Sequence, residues 1–218
     1  MLSFTEENYL KALLHITLEV EHKNEAGTNE LASYLGVKPA TATDMLKKLK
    51  DKKLISYEKY GKISLSDSGR NKAIEILRKH RLWETFLYEK LDFTWDEVHE
   101  VAEQLEHIQS QKLVDKLDKF LGFPEYDPHG DAIPNAKGEL KPSFKKTLSE
   151  AEEGTTCRMV AVKDNTVSFL KYVSQLDLGI NTHIQVLARQ PYDGSMEILI
   201  NDSKITVSQK FAENILIV

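Results

Sequence analysis

Four residues that can bind a metal recur at helical spacing in one short segment of the chain. The segment VHEVAEQLEH places two imidazoles and two carboxylates at His99, Glu103, Glu106 and His107. At about 100° per residue, these side chains fall within an arc of roughly 100° on one face of a helix. Nitrogen and oxygen ligands without a thiolate suit manganese, iron, zinc or cobalt. The pattern therefore predicts a site for a divalent transition metal.

A second pair with the same chemistry precedes this segment. His80 and Glu84, in the string RKHRLWE, are four residues apart and share a face of an earlier helix. Glutamate and histidine on a helix are most often solvated surface residues. Two His-x-x-x-Glu pairs together with an interlocked Glu-x-x-Glu-His favour a shared metal site over that interpretation.

The composition is that of a soluble globular protein. The chain has 218 residues, 41% of them hydrophobic, and a net charge of −5. The single cysteine, Cys157, excludes an intramolecular disulfide and a cysteine-based zinc site. Acidic residues occupy the start of the chain, and no apolar run approaches the ~20 residues that a membrane span needs. We expect a cytoplasmic protein without a membrane partner.

The first part of the chain reads as a winged helix-turn-helix. Thr5–Glu19 has helical apolar spacing, and a short helix over NELASYLG ends at Gly36. Pro39 suits the first turn of the next helix, ATATDMLKKLKDKK. Two β-favouring runs around Tyr60 and Gly61 then predict a hairpin. A hairpin after the second of two closely spaced helices is the wing of such a domain.

The second helix is the candidate reading helix, because the exposed start of that helix reaches base edges in the major groove. The candidate base-reading residues are Lys38, Pro39, Ala40, Thr41, Thr43 and Asp44. The candidate phosphate contacts are Lys47, Lys48, Lys59 and Lys62. Eight lysines between Lys38 and Lys62, against three acidic residues, give a local basic surface. The alternative is that Pro39 and Thr41 only begin the helix and the lysines are solvated charge.

The remainder of the chain divides into a helical region and a β-rich region. A long helix from Arg70, a helix with the His/Glu stripe, and a helix over Asp115–Leu121 form a helical region. From Gly154 onward, short β-rich runs predict a small barrel with one helical turn near Ser168–Leu176. The expected fold class is α+β. The expected divisions are 1–69 for DNA binding, 70–134 for metal binding and dimerisation, 135–153 as a linker and 154–218 for the barrel.

The order of elements, with RKHRLWE and VHEVAEQLEH, closely resembles the diphtheria-toxin-repressor family of metal-dependent bacterial transcription regulators. LASYLGVKPATATDMLKKL and Tyr57–Leu65 resemble the reading head of that family, and DPHGDAIP resembles the turn after its dimerisation helices. GTTCRMVAV and LDLGINTHIQVLARQPYDG resemble its SH3-like, FeoA-like C-terminal domain. The resemblance covers the whole chain. It implies a homodimer that binds a double-stranded DNA operator with metal and represses metal-uptake genes, without an organic substrate or catalytic residues.

The resemblance also implies a division of the ligands. The ancillary site would comprise His80, Glu84 and His99. The primary site would comprise Glu103, Glu106 and His107 with one ligand near the N-terminus. The iron-responsive branch has cysteine at the position of Glu103 and the manganese-responsive branch has glutamate, as here. We therefore expect Mn²⁺ as the metal ahead of Fe²⁺.

The N-terminal ligand is where this chain departs from the family. The position aligns with Asn8, where the manganese branch has aspartate and the iron branch has methionine. Lys11 stands where some manganese-responsive members have another glutamate. Asn8 could donate its side-chain carbonyl, or Glu7 could substitute for it. From the C-terminal domain, Gln175 and Asp177 are candidates to complete the ancillary site.

Two other functions compete with this interpretation. A metallohydrolase would also use a His/Glu cluster, but His99-Glu100-Val101-Ala102-Glu103 is not the HExxH motif, and neither a nucleophile nor an oxyanion loop accompanies it. The other alternative is a winged-helix regulator that senses an organic ligand, with the His/Glu stripe serving the structure. That regulator would bind DNA equally with and without a chelator.

Overall fold

The computed structural model describes residues 2–19, 24–57, 62–140 and 146–218, which form two compact units. The first unit comprises Met1–His80, Glu103–Gln111 and Pro134–Glu139. The second comprises Arg81–Ala102, Lys112–Ile133 and Leu140–Val218. None of the helices in the described ranges is long and apolar enough to cross a membrane.

The first unit contains the predicted winged helix-turn-helix, which is confirmed. Its helices are α1 (Phe4–Glu19), α2 (Thr28–Tyr34), α3 (Pro39–Asp51) and the first part of α4 (Asp67–Leu91). Its strands are β1 (Ala26–Gly27), β2 (Ile55–Tyr57) and β3 (Lys62–Leu65), in the antiparallel order β1-β3-β2. The predicted wing turn at Tyr60 and Gly61, together with Lys59, lies outside the described residues. A two-residue strand such as β1 has too short a pattern to be predicted.

One apolar core joins α1 to α3, the predicted reading helix. The fully buried side chains at its centre include Leu10, Leu13, Leu14, Leu31, Leu46, Leu49 and Ile63. The α3 residues repeat at helical spacing, so one side of α3 packs inward and the other stays exposed. Lys52, which follows α3, also forms an ion pair of 2.7 Å with Glu6 in the first turn of α1. Core packing and this ion pair fix α3 relative to α1.

The helical region supplies α5 (Val98–Leu105) and α6 (Gln111–Phe120) in addition to α4. The part of α4 up to His80 and the segment from Glu103 to Gln111 belong to the first unit. The sequence predicted one helix through His107, and that prediction is wrong. Helix α5 ends at Leu105, and the turn closes with a hydrogen bond from Ile108 N to Leu105 O of 3.2 Å.

The second unit ends in the β-rich domain predicted from residue 154. An antiparallel six-stranded sheet has the order β4-β9-β5-β6-β7-β8. Its strands are β4 (Lys146–Thr147), β5 (Thr156–Val162), β6 (His183–Arg189), β7 (Met196–Ile200), β8 (Ser203–Val207) and β9 (Ile215–Ile217). Asn201 and Asp202, both at positive φ, form the two-residue connection between β7 and β8.

Two helices accompany this sheet. The helical segment predicted near Ser168–Leu176 is present as α7 (Val167–Gln175), which at nine residues is longer than the single turn expected. A further helix, α8 (Gln209–Asn214), was not predicted; Ser208 caps it by accepting a hydrogen bond from Phe211 N. Leu170 and Val173 of α7 and Phe211 of α8 pack in the same buried core.

Candidate metal centre

The predicted primary ligands all belong to the first unit, with Asn8 on α1 and the other three at the end of α5 and in the turn that follows it. Glu106 is fully buried and His107 is 7% exposed, whereas the side chain of Glu103 is about half exposed. Because α5 ends at Leu105, Glu106 and His107 project from a turn and not from a continuous helical stripe. We call Asn8, Glu103, Glu106 and His107 the primary cluster.

Two residues of α1 hold the His107 side chain, one at its ring nitrogen Nδ1 and one against the face of its ring. Its Nδ1 lies 2.6 Å from Glu7 Oε2 and donates to that carboxylate, and its ring stacks on Phe4 with centroids 4.4 Å apart. Gln109 Nε2 donates to the other oxygen of Glu7 over 2.7 Å. With Nδ1 engaged, Nε2 is the nitrogen left for a metal. A carboxylate that orients a ligating histidine in this way is a regular feature of metal sites.

Glu106 has one oxygen in hydrogen bonds and one oxygen without any. Its Oε2 accepts from Lys11 Nζ over 2.8 Å and from His80 Nδ1 over 2.6 Å. Burial alone would raise the pKa of Glu106, but the His80 hydrogen bond and the charges of His80 and Lys11 hold that pKa below its usual value. Glu106 is therefore ionised at neutral pH, as a metal ligand must be.

Two buried oxygens of the primary cluster fit a metal. Among the residues that the structure describes, Asn8 Oδ1 and Glu106 Oε1 are buried and have no hydrogen-bond partner. The orphaned Oε1 lies 3.9 Å from His107 Nε2. Leaving a buried oxygen without a partner costs roughly 1–3 kcal/mol, which coordination to a cation would offset. The donor set of amide oxygen, carboxylate oxygen and imidazole nitrogen suits a divalent metal such as manganese or iron.

The predicted ancillary residues are divided between the units. His80 lies in the first unit, where it contacts Glu106. Glu84 and His99 lie in the second unit, where His99 Nδ1 is 3.2 Å from Glu84 Oε1. Glu84 is buried, while the side chain of His99 is about half exposed.

The second unit also contains a cluster that the sequence analysis missed. Glu84, Asp127 and His129 are all buried, and one ligand atom from each lies within 4.8 Å of the others. His129 Nε2 contacts the Trp95 carbonyl over 3.1 Å, while its Nδ1 lies 3.8 Å from Glu84 Oε1. The signal in the sequence was Asp127 and His129 two residues apart within DPHGDAIP, which the resemblance treated only as a turn. We call these three residues the second cluster.

Negative charge dominates the second cluster. Burial, followed by the charges of Asp131 and Glu84, raises the pKa of Asp127 to about 7, although Arg81 and His129 act in the opposite direction. Asp127 Oδ1 also accepts from His129 N over 2.8 Å and from Asp131 N over 2.9 Å, which fixes the turn. A cation at this cluster would relieve the repulsion between its carboxylates.

Gly130 positions the second cluster. Its φ of +82° favours glycine, and a Cβ there would collide with the carbonyl oxygen of Val160 in β5. Val162 N donates to His129 O over 3.2 Å, which attaches the turn to the same strand. The DPHGDAIP turn is thereby placed by backbone packing, which no spacing of side chains in the sequence reveals.

The candidate DNA-contacting residues lie on the solvent side of the first unit. Those on α3 and at its start are exposed or partly exposed. The group is Lys38, Pro39, Ala40, Thr41, Thr43, Asp44, Lys47 and Lys48. Thr43 Oγ1 donates to Pro39 O over 2.9 Å, and Lys47 pairs with Asp44 over 3.0 Å. Lys62 pairs with Glu25 over 2.8 Å.

Three family models match successive parts of the chain. Residues 1–63 match the iron dependent repressor N-terminal DNA binding domain. Residues 66–135 match the iron dependent repressor metal binding and dimerisation domain. Residues 146–218 match the FeoA domain.

Individual proteins match over very different shares of their length. A solved structure described as a manganese-dependent transcriptional repressor in complex with manganese is 32% identical, with a TM-score of 0.85, and 98% of this chain and 99% of that chain are covered. The uncharacterized HTH-type transcriptional regulator MJ0568 of Methanocaldococcus jannaschii is 35% identical over 53% of this chain and 90% of its own length.

Two curated chlamydial relatives, each named a probable metal transport system membrane protein, are much longer than the matched region. The chain spans 30% of the length of the relative from Chlamydia trachomatis, with 34% identity over 62% of this chain. It spans 17% of the length of the relative from Chlamydia pneumoniae, with 45% identity over 35% of this chain.

Proposed function

The chain belongs to the diphtheria-toxin-repressor family of metal-dependent transcription regulators, and from this premise we propose that it is a DNA-binding repressor of metal-uptake genes, activated by a divalent metal. Members of this family are regulators and not enzymes, so the metallohydrolase alternative is dropped. The single observation that carries the proposal is the contact between α1 and the turn after α5, made by Glu7 with His107 and by Lys11 with Glu106.

This contact matters because α1 is also packed on the reading helix. Glu6 pairs with Lys52 after α3, and the next residue, Glu7, contacts His107. Burial raises the pKa of Glu6, but the bond from Lys52 and those from Ser3 hold it below its usual value, so the ion pair is present at neutral pH. A change at the primary cluster is therefore transmitted to α3 through one helix.

The primary cluster would hold the metal through Asn8 Oδ1, Glu106 Oε1 and His107 Nε2, with Glu103 as a further ligand. The bound metal would supply a positive charge that binds α1 to the turn after α5 at the same time. Glu7 orients His107 through its Nδ1, and His80 orients Glu106 through its Oε2. Such a coupling typically changes DNA affinity by the equivalent of about 1–3 kcal/mol. The second cluster would take a second ion.

Manganese is the metal we propose first, and iron second. All protein ligands proposed for the primary cluster are oxygen or imidazole nitrogen, and sulfur, which softer metals prefer, is not among them. The resemblance to a manganese-dependent repressor over nearly the whole chain supports the same choice. The repressor would act as a homodimer in the cytoplasm, with two reading helices on half-sites roughly 34 Å apart.

The proposed function is tested by DNA binding at fixed salt. The purified chain is titrated onto its own upstream DNA or a selected oligonucleotide pool, first with a chelator and then with Mn²⁺, Fe²⁺ or Zn²⁺. We expect tight binding only with metal, and a complex mass that corresponds to two chains per operator. Binding that is indifferent to the chelator would favour the organic-ligand sensor and contradict the proposal.

The N-terminal ligand is decided by a pair of substitutions. Asn8→Asp should tighten Mn²⁺ binding by about tenfold, because a charged oxygen would replace the orphaned amide oxygen as the ligand. Glu7→Gln should weaken binding by about 10–100-fold, because His107 would lose the carboxylate that orients it. Calorimetric titration with Mn²⁺ measures both. Unchanged affinity in Asn8→Asp would remove Asn8 from the ligand set.

The second cluster is tested by counting ions. Asp127→Asn keeps the shape of the side chain but removes one of the two carboxylates of the second cluster. We therefore expect the loss of one bound ion per chain at saturating Mn²⁺. Elemental analysis after desalting gives the stoichiometry. Asp131→Asn, at a neighbouring carboxylate outside the cluster, is the matched control and should keep the full number. Equal ion counts in wild type and Asp127→Asn would rule out this cluster as a metal site.

A further inference from the structure

Lys11 places a cation inside the primary cluster without any metal. Its Nζ lies 2.8 Å from Glu106 Oε2 and 3.4 Å from Glu103 Oε1. The side chain of Lys11 is 17% exposed and that of Glu106 is fully buried. The two residues are 95 positions apart in the chain, so tertiary packing alone brings them together.

This ion pair differs from an ordinary surface pair. Exposed pairs such as Lys72 with Glu75, one helical turn apart, contribute little because water competes for both partners. Glu106 has no access to water, so a nearby positive charge is needed to keep it ionised. Lys11 and His80 are the groups that provide its hydrogen bonds.

The charges around the primary cluster decide how Lys11 affects metal binding. Glu103 and Glu106 are the two carboxylates of the cluster, and the Lys11 ammonium lies against both of them. Without Lys11, the same carboxylates would have a larger negative surplus and attract a divalent ion more strongly.

We propose that Lys11 is a resident cation of the primary cluster, which holds α1 on the turn after α5 in the metal-free protein and lowers the affinity of the site for metal. The inference rests on the proposed function. Lys11 thereby sets the metal concentration at which the repressor responds. Glu106 Oε1 and His107 Nε2 would hold a divalent ion against the repulsion of the Lys11 ammonium, and the ion would compete with the ammonium for Glu103.

The test is Lys11→Met, which keeps much of the length of the side chain and removes its charge. Calorimetry with Mn²⁺ should show an affinity at least about tenfold higher than in wild type, with one ion at the primary cluster. In the presence of a chelator, thermal unfolding should occur at a Tm lower by about 3 °C or more, because the metal-free protein has lost the ion pair of Glu106. Added Mn²⁺ should restore the Tm.

Two variants separate charge from packing. Lys11→Arg keeps the cation and should retain the affinity of wild type to within about threefold. Lys72→Met removes a lysine from an exposed pair and should change neither the affinity nor the metal-free Tm. If Lys11→Met does not fold, Lys11→Gln provides the same comparison with a polar side chain.

The outcomes distinguish this inference from the proposed function. Equal Mn²⁺ affinity in wild type and Lys11→Met, in a wild type that binds metal and DNA, would overturn the role of Lys11 alone. A wild type that binds no metal would overturn both. Tighter metal binding in Lys11→Met, with a lower metal-free Tm and normal behaviour of Lys11→Arg, would support it.

Discussion

We expect Glu106→Gln to remove metal-dependent DNA binding. The substitution keeps the volume of a fully buried side chain but replaces the carboxylate that faces His107 Nε2 with a neutral amide. We expect Mn²⁺ affinity at the primary cluster to fall by about 100-fold or more, equivalent to roughly 2.7 kcal/mol. Metal should then no longer increase the affinity for operator DNA. Calorimetry and a fluorescence-anisotropy DNA titration measure the two effects separately.

The control for this substitution is Glu75→Gln, which makes the same chemical change on an exposed part of α4. It should leave both affinities unchanged. The lysine and histidine that contact Glu106 could destabilise the amide variant, so circular dichroism and a thermal melt accompany each measurement. His107→Ala provides a second test, since it removes the proposed nitrogen ligand and leaves Glu106 intact. A folded Glu106→Gln variant that still responds to Mn²⁺ would contradict the primary cluster.

We expect the second large effect from reversing two charges on α3, the proposed reading helix. In the double variant Lys47→Glu and Lys48→Glu, two exposed ammonium groups on α3 become carboxylates that repel the phosphate backbone. We expect operator affinity at fixed salt to fall by about 100-fold or more, with metal present. Metal affinity should not change, because neither lysine contacts the primary cluster. The dependence of DNA affinity on salt should also become less steep, as fewer counterions are released.

Lys72→Glu is the matched control for this charge reversal, because Lys72 is an exposed lysine of α4 outside the proposed reading surface. A DNA affinity that falls equally in Lys72→Glu and in the double variant would indicate a response to net charge, not contact through α3. Lys47 also pairs with Asp44, so Lys47→Glu sets two carboxylates against each other on the helix surface.

Local patterns were enough to predict the architecture. The winged helix-turn-helix could be predicted because its helices have their own apolar spacing and their own start or stop residues, such as Pro39 for α3. The structure confirms it. The antiparallel partners β2 and β3 follow from two short β-favouring runs close together in the chain. The end of α5 was predicted wrongly because that prediction also relied on local spacing alone. His/Glu spacing continues through His107, but the backbone turns after Leu105, and the spacing of side chains does not record where a backbone turns.

The candidate ligand types were visible in the sequence, and they remain predictions. Which partner each one contacts depended on packing between distant segments. Glu7, 100 positions away from His107 in the chain, accepts a hydrogen bond from His107 Nδ1 and so orients the ring. Asn8 Oδ1 is buried and has no hydrogen-bond donor. The sequence alone aligned Asn8 with the ligand position and kept Glu7 as a substitute. The two side chains point about 100° apart on the helix, and the local sequence does not say which of them faces the turn after α5.

The sequence by itself determined the kinds of groups available: carboxylates, imidazoles, one amide and one lysine, on helices with recognisable apolar faces. Most of the helices and strands have apolar spacing and turn residues within a few positions of each other, so those elements could be predicted from the sequence. The tertiary structure decided that Lys11 lies against a buried Glu106 and that Glu84 has both His99 and His129 beside it. Such pairings depend on burial and on contacts between residues far apart in the chain, since the strength of a charge interaction is set by distance and by exclusion of water.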